Sequence, residues 1–196
     1  GYVNPGRPEK AAAMAYRDAA LSHVKNGIYG EMWAAACLAA AFVESDPRAV
    51  LEAGLREIPR RCRLAEALQA TMAWAEQSYD WEQTWARVNN AYGHYHVVHT
   101  INNACAVALA LIHGSGDFER TISIAVMCGW DTDCNGATAG SIIGTMLGAA
   151  ALPDKWIAPL HDSIESSVQG FSHSRISDLA ERTLAQAANV LAEDAD

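Results

Sequence analysis

Four glycines at every fourth position, Gly136, Gly140, Gly144 and Gly148, run through an apolar segment that two aspartates introduce, Asp131 and Asp133. Residues four apart stack on one face of an α-helix, so these glycines draw a strip without side chains along which another backbone can lie close. Each glycine inside a helix costs about 1 kcal/mol relative to alanine, so a helix carrying several must recover the loss by tertiary packing. A central, buried helix is therefore predicted over residues 134–150. Thr138, Ser141 and Thr145 interrupt the apolar run. It is also shorter than the ~20 apolar residues a bilayer needs, which makes it a core helix and not a membrane span.

Two residues apart on a helix point about 200° away from each other, so both carboxylates reach one ion only where the backbone turns. That places Asp131 and Asp133 on the turn that opens the helix. Carboxylate oxygens suit hard divalent cations, Mg²⁺ first, with Mn²⁺ or Ca²⁺ as alternatives. The plainer alternative is that Asp133 caps the helix and Asp131 is solvated. The letters Asp131-x-Asp133-x-Asn135-Gly136 also match the first half of an EF-hand loop, but the twelfth position is Ile142 where a bidentate Glu is required.

Apolar residues recur at helical spacing along nearly the whole chain, and strand-like alternation is almost absent, so the fold class is all-α. Helices are predicted near 8–25, 29–44, 47–57, 62–78, 81–92, 100–113, 117–128, 134–150 and 175–192, with a short turn around Trp156. Asp46-Pro47, Asp80 before Trp81, and Asp117 after a Gly-Ser-Gly turn are start signals. The tail Glu193 to Asp196 is expected to fray.

The 196 residues, 51% apolar, can bury one sizeable core and are read as a single domain over 1–196. A net charge of −9 argues against a nucleic-acid surface, and the one basic cluster is Arg60-Arg61-Cys62-Arg63. Five cysteines without a Cys-x-x-Cys pair fit reduced thiols in a reducing compartment, and the start of the sequence shows no signal-peptide pattern; a cytoplasmic location is expected. Cys105 and Cys128 read as small buried hydrophobes, and Trp33, Trp74, Trp81 and Trp85 as core or helix-packing residues.

Two further clusters are candidate chemistry. His94, His96 and His99 precede Thr100-Ile101-Asn102-Asn103; these histidines serve either as caps and loop residues or as contacts at the mouth of a site, and Asn102 or Asn103 either caps a helix or bonds a ribose or phosphate. His23, Asn26, Gly27, Tyr29 and Gly30 form either a helix-to-helix turn or a loop that lets backbone approach a sugar while an aromatic ring stacks on it.

Several blocks resemble the ADP-ribosylglycohydrolase family, which includes ADP-ribosylarginine and ADP-ribosylserine hydrolases, the glycohydrolase that reactivates dinitrogenase reductase, and the J1 crystallins. Gly129 to Gly144 looks like the family's Gly-x-Asp-x-Asp-Thr segment, which opens a small-residue helix and supplies ligands to a pair of divalent cations. Pro5-Gly6-Arg7-Pro8 with Ala11 to His23, then Asn26-Gly27-Ile28-Tyr29-Gly30 and an Ala-rich helix, resemble its middle region. Two positions depart from the pattern: Cys134 stands where many members have a metal-binding Thr or Ser, and Trp130 where many have Gly.

The resemblance implies a compact orthogonal bundle of helices and hydrolysis of the bond between ADP-ribose and an attached group. It implies Asp131, Asp133 and Cys134 at the metal, and His23, Asn26, Gly27, Tyr29, Gly30, His99, Asn102 and Trp130 at the substrate. The catalytic residues are not located. Family members carry a Gly-rich opening segment and a Thr-Asp-Asp run with an acidic catalytic residue, and nothing here matches either, so the chain is expected to be the C-terminal part of such a domain. The expected partners are ADP-ribose or an ADP-ribosylated substrate, and a missing N-terminal segment or a second copy; neither nucleic acid nor membrane is expected. The alternative is a catalytically inactive binding or crystallin-like structural protein on the same scaffold.

Overall fold

The computed structural model describes residues 1–193. Among them are ten α-helices: α1 (Pro8–Ser22), α2 (Asn26–Ala40), α3 (Pro47–Arg56), α4 (Arg63–Glu76), α5 (Trp81–Tyr92), α6 (Thr100–Gly114), α7 (Phe118–Met127), α8 (Thr132–Leu147), α9 (Asp154–Ile157) and α10 (Ile176–Glu193). Of the tail expected to fray, Glu193 to Asp196, Glu193 is the last residue of α10 and residues 194–196 lie outside the described residues. The fold is all-α, as the periodicity predicts.

One short element escapes that reading. β1 (Ser163–Glu165) and β2 (His173–Arg175) pair antiparallel just before α10. Three-residue strands are too short for alternation to register. Asp162, at φ +53°, fixes the hairpin to α10 by accepting hydrogen bonds from the Ser177 backbone N–H and hydroxyl and from Arg175.

The helix starts follow from local chemistry. Asp46, Asp80 and Asp117 each accept a hydrogen bond from a first-turn backbone N–H, at Arg48, Glu82 and Arg120. Each satisfies one of the donors that a helix start leaves unpaired.

The predicted place of the glycine-rich helix needs correcting. The central helix is α6, not α8: every residue from Ile101 to Leu111 is buried, and α2, α3, α4, α5, α7 and α8 all pack on it. A helix apolar all round can be satisfied only in that position. α8 runs from Thr132 to Leu147, not 134–150, and buries only Asn135, Ala139, Ile142 and Ile143. Its glycines do face a neighbour. A Cβ at Gly136, Gly140 or Gly144 would meet Val126, Ile122 or Phe118 of α7, at 3.2, 3.4 and 3.6 Å. Gly148 leaves the ladder and ends the helix at φ +76°. Tighter glycine contacts lie elsewhere, where Gly30 of α2 abuts Thr100 of α6, Gly114 of α6 abuts Thr121 of α7 and Gly54 of α3 abuts Cys37 of α2.

Trp33, Cys105 and Cys128 are buried, and Trp74, Trp81 and Trp85 pack against the core. No described helix is long and apolar enough to cross a membrane.

Candidate metal centre

Between α7 and α8 the chain reverses through two successive left-handed residues, Gly129 at φ +76° and Trp130 at φ +59°. Glycine adopts that region freely; for tryptophan it costs roughly 1–2 kcal/mol, which surrounding contacts must offset. The Trp130 ring meets the edge of Trp85 on α5, with centroids 4.4 Å apart.

The reversal puts Asp131 at the N-cap and Asp133 in the first turn of α8. The Asp131 side chain makes no capping hydrogen bond, and Asp133 is not the cap residue. The capping alternative therefore does not describe this site. Ligand atoms of Asp131, Asp133 and Cys134 lie within 4.8 Å of one another, Asp131 half-buried and the other two exposed. The positive end of the helix favours anionic groups here, and two carboxylates suit a hard divalent cation. Desolvation first, and then the hydrogen bond and charge of Asp131 with the charge of Asp133, raise the Cys134 thiol above its ordinary range. A protonated thiol is a poor partner for Mg²⁺, so the two carboxylates fit the ion and the third donor fits it less well.

Behind this turn stands the N-terminus of α6. Asn103 Oδ1 accepts the backbone N–H of Asp131 at 3.2 Å and the Asn135 side-chain amide at 2.8 Å. Its Nδ2 donates to the carbonyls of Val97 and His99. Sequence left Asn103 between capping and substrate contact; its side chain caps no start of its own helix and instead bridges the preceding loop to the start of α8. Asn102, named for the substrate, is fully buried; its Nδ2 donates to the His96 carbonyl, and its Oδ1 has no hydrogen-bond partner. His99 caps α6, its Nδ1 accepting from Ile101 N–H. Its ring stacks on Tyr95, with centroids 4.5 Å apart. Burial, followed by the charges of Arg63, His94 and His96, lowers its pKa.

The other cluster adjoins the start of α6 through Gly30 and Thr100. α1 ends at Ser22 and α2 begins at Asn26, so Asn26 and Gly27 lie in the helix whose start sequence placed at residue 29, and Tyr29 and Gly30 continue it. Asn26 Oδ1 accepts from Leu64 N–H at the start of α4. Gly27 lies against the exposed His23, whose Nδ1 is 2.7 Å from the Ser22 hydroxyl. Tyr29 is half-buried, and Gly30 is buried against Thr100. The N-termini of α2, α4, α6 and α8 are thus linked in pairs by Asn26–Leu64, Gly30–Thr100 and Asn103–Asp131 contacts.

An open groove of about 460 Å³ runs between α1, α2 and α8, with Asp18, Glu31, Thr138 and Ser141 among its walls. Desolvation, and then the hydrogen bond and charge of Asp18, raise the Glu31 carboxyl, while His23 acts in the opposite sense. Nothing in the sequence marks Asp18, since its partner lies on the next helix.

These features define an all-helical scaffold that presents a carboxylate pair at a helix start. The chain belongs to the ADP-ribosylglycohydrolase family, which it matches over residues 1–193. That family is generally hydrolytic and divalent-cation dependent and acts on ADP-ribosylated substrates. No curated protein and no solved structure matches the chain.

Proposed function

We propose that the protein is a divalent-cation-dependent hydrolase that cleaves the glycosidic bond between ADP-ribose and an attached group. The observation that carries this reading is the gathering of Asp131 and Asp133 at the start of α8 in a chain of this family. Their carboxylates hold the cation, Mg²⁺ before Mn²⁺ or Ca²⁺, with Cys134 beside them. A cation so held supplies Lewis acidity and a template for sugar hydroxyls or water.

The accessible residues His23, Tyr29, His99 and Trp130 contact the substrate. Asn26, Gly27, Gly30 and Asn102 set the helix starts that carry them. In the reaction, water adds to the anomeric carbon and the attached group leaves with a proton, which requires a carboxyl or another proton carrier at the bond. Glu31, whose pKa is raised, is the candidate in this chain because it shares a groove with Thr138 and Ser141 of α8. The five unpaired cysteines support a cytoplasmic setting.

The test is release of ADP-ribose from ADP-ribosylated protein by the 196-residue chain with Mg²⁺, alone, with a chelator, and with an N-terminal family segment added. Little turnover alone and cation-dependent turnover on complementation support the proposal. Binding of ADP-ribose without turnover in any combination overturns it in favour of a binding module.

A further inference from the structure

We propose that Asn103 is a positioning residue for the carboxylate turn, holding the backbone of Asp131 and the loop of residues 93–99 as one unit. This rests on reading Asp131 and Asp133 as cation ligands, but it concerns how they are held and not whether they bind.

A side-chain amide offers two N–H donors and one oxygen with two lone pairs. At Asn103, which is 9% exposed, all four positions are used. Nδ2 donates to Val97 O at 2.7 Å and to His99 O at 2.9 Å. Oδ1 accepts from Asp131 N at 3.2 Å and from Asn135 Nδ2 at 2.8 Å. Reversing the amide would set its oxygen against two carbonyls and its nitrogen against two donors, so one orientation alone satisfies the surroundings. The contacts join three separate segments: the 93–99 loop, the first turn of the central helix, and the start of α8.

The turn needs such a hold. Gly129 and Trp130 are both left-handed, and Asp131 makes no capping bond of its own. An unheld Asp131 backbone would let the carboxylate rotate away from Asp133. A Leu, Ala or Ser at position 103 could not bridge both sides. Asp could keep the acceptor side, facing Asp131 and Asn135, while losing the donor side, facing Val97 and His99. That asymmetry makes the inference testable, since partners that orient metal ligands typically change metal affinity by about 10–100-fold when removed.

The experiment measures backbone amide exchange by NMR and Mn²⁺ binding by electron paramagnetic resonance on the 196-residue chain. In the parent, the Asp131 amide should exchange slowly although it precedes the helix; fast exchange overturns the proposal. Asn103→Leu, with its fold verified by circular dichroism, should unprotect Asp131 and weaken Mn²⁺ binding about 10–100-fold. Parent-like affinity in a folded Asn103→Leu overturns it. If that variant does not fold, Asn103→Asp decides. Protection kept at Asp131 with shifted ¹³C resonances of the Val97 and His99 carbonyls, which lose their Asn103 donor, supports the proposal; lost protection at Asp131 or unmoved carbonyl resonances overturns it. A parent that binds no Mn²⁺ refutes the cation reading instead, and the exchange pattern still decides the role of Asn103.

Discussion

The Trp130 ring stands nearly edge-on to Trp85, 65° between planes and 4.4 Å between centroids, while its own backbone sits in the left-handed region at φ +59°. A bulky residue is thus held where glycine is preferred, by a contact from a helix distant in sequence. Aromatic pairs of this geometry contribute about 0.5–1.5 kcal/mol beyond the area they bury, comparable to the backbone cost.

This balance predicts that Trp130→Gly keeps the fold, losing the indole contact but relieving the backbone. Trp130→Val, β-branched at a positive φ, loses the contact and keeps the strain, and should be less stable than Trp130→Gly by about 1–2 kcal/mol or more. Thermal melts of the two variants compare them directly. Equal stability would refute the account.

The glycine face of α8 predicts a size threshold at position 140. A Cβ there would meet Ile122 Cδ1 at 3.4 Å, so Gly140→Ala is accommodated and gains helix propensity. Gly140→Leu must push into α7 and should cost about 1–3 kcal/mol. Denaturant unfolding gives both values, and a Gly140→Leu midpoint equal to the parent's would remove α7 as the packing partner.

Removing either carboxylate should weaken the cation site, because affinity for hard cations rises with the number of charged oxygen ligands. Calorimetric titration with Mg²⁺ and Mn²⁺ is expected to show reduced affinity in Asp131→Asn and in Asp133→Asn. Unchanged affinity in both variants would dismiss the site. Cys134→Ser replaces a soft donor with the hydroxyl that many family members carry, and should shift preference towards Mg²⁺.

Stability should fall as the solution is acidified below about pH 6.5, the ordinary histidine pKa. Burial, aided by Arg120 and opposed by Asp80, lowers the pKa of His113, whose Nε2 lies 2.9 Å from the Thr84 hydroxyl between α5 and α6. His99 is lowered in the same direction. The unfolded chain therefore binds protons more readily than the folded one, so this stability is fully present above the unfolded value and is lost as pH falls towards the folded value. Melting temperatures measured between about pH 7 and pH 5 should decline. The slope should be shallower in His113→Gln, which keeps a partner for Thr84 without a titrating ring. An identical slope would assign the effect to other groups.

Much of the architecture was legible in the chain itself. The 3.6-residue period sets the helices, and Asp46, Asp80 and Asp117 mark three starts by a chemistry that acts within a few residues. The Asp131–Asp133 pair ahead of a small-residue helix also announces itself locally, because the turn that joins the two carboxylates lies within the same segment. Tertiary structure decided what depends on neighbours distant in sequence. It chose α6 over α8 as the buried centre, because an all-round apolar surface needs partners on every side, whereas α8 needs only α7 along its glycines. It raised Asn103 from an ambiguous helix-start residue to the bridge between two loops, and paired Trp85 with Trp130 and Asp18 with Glu31. Sequence periodicity reports which face of a helix is apolar; which element meets that face is set only when the chain closes contacts across tens of residues.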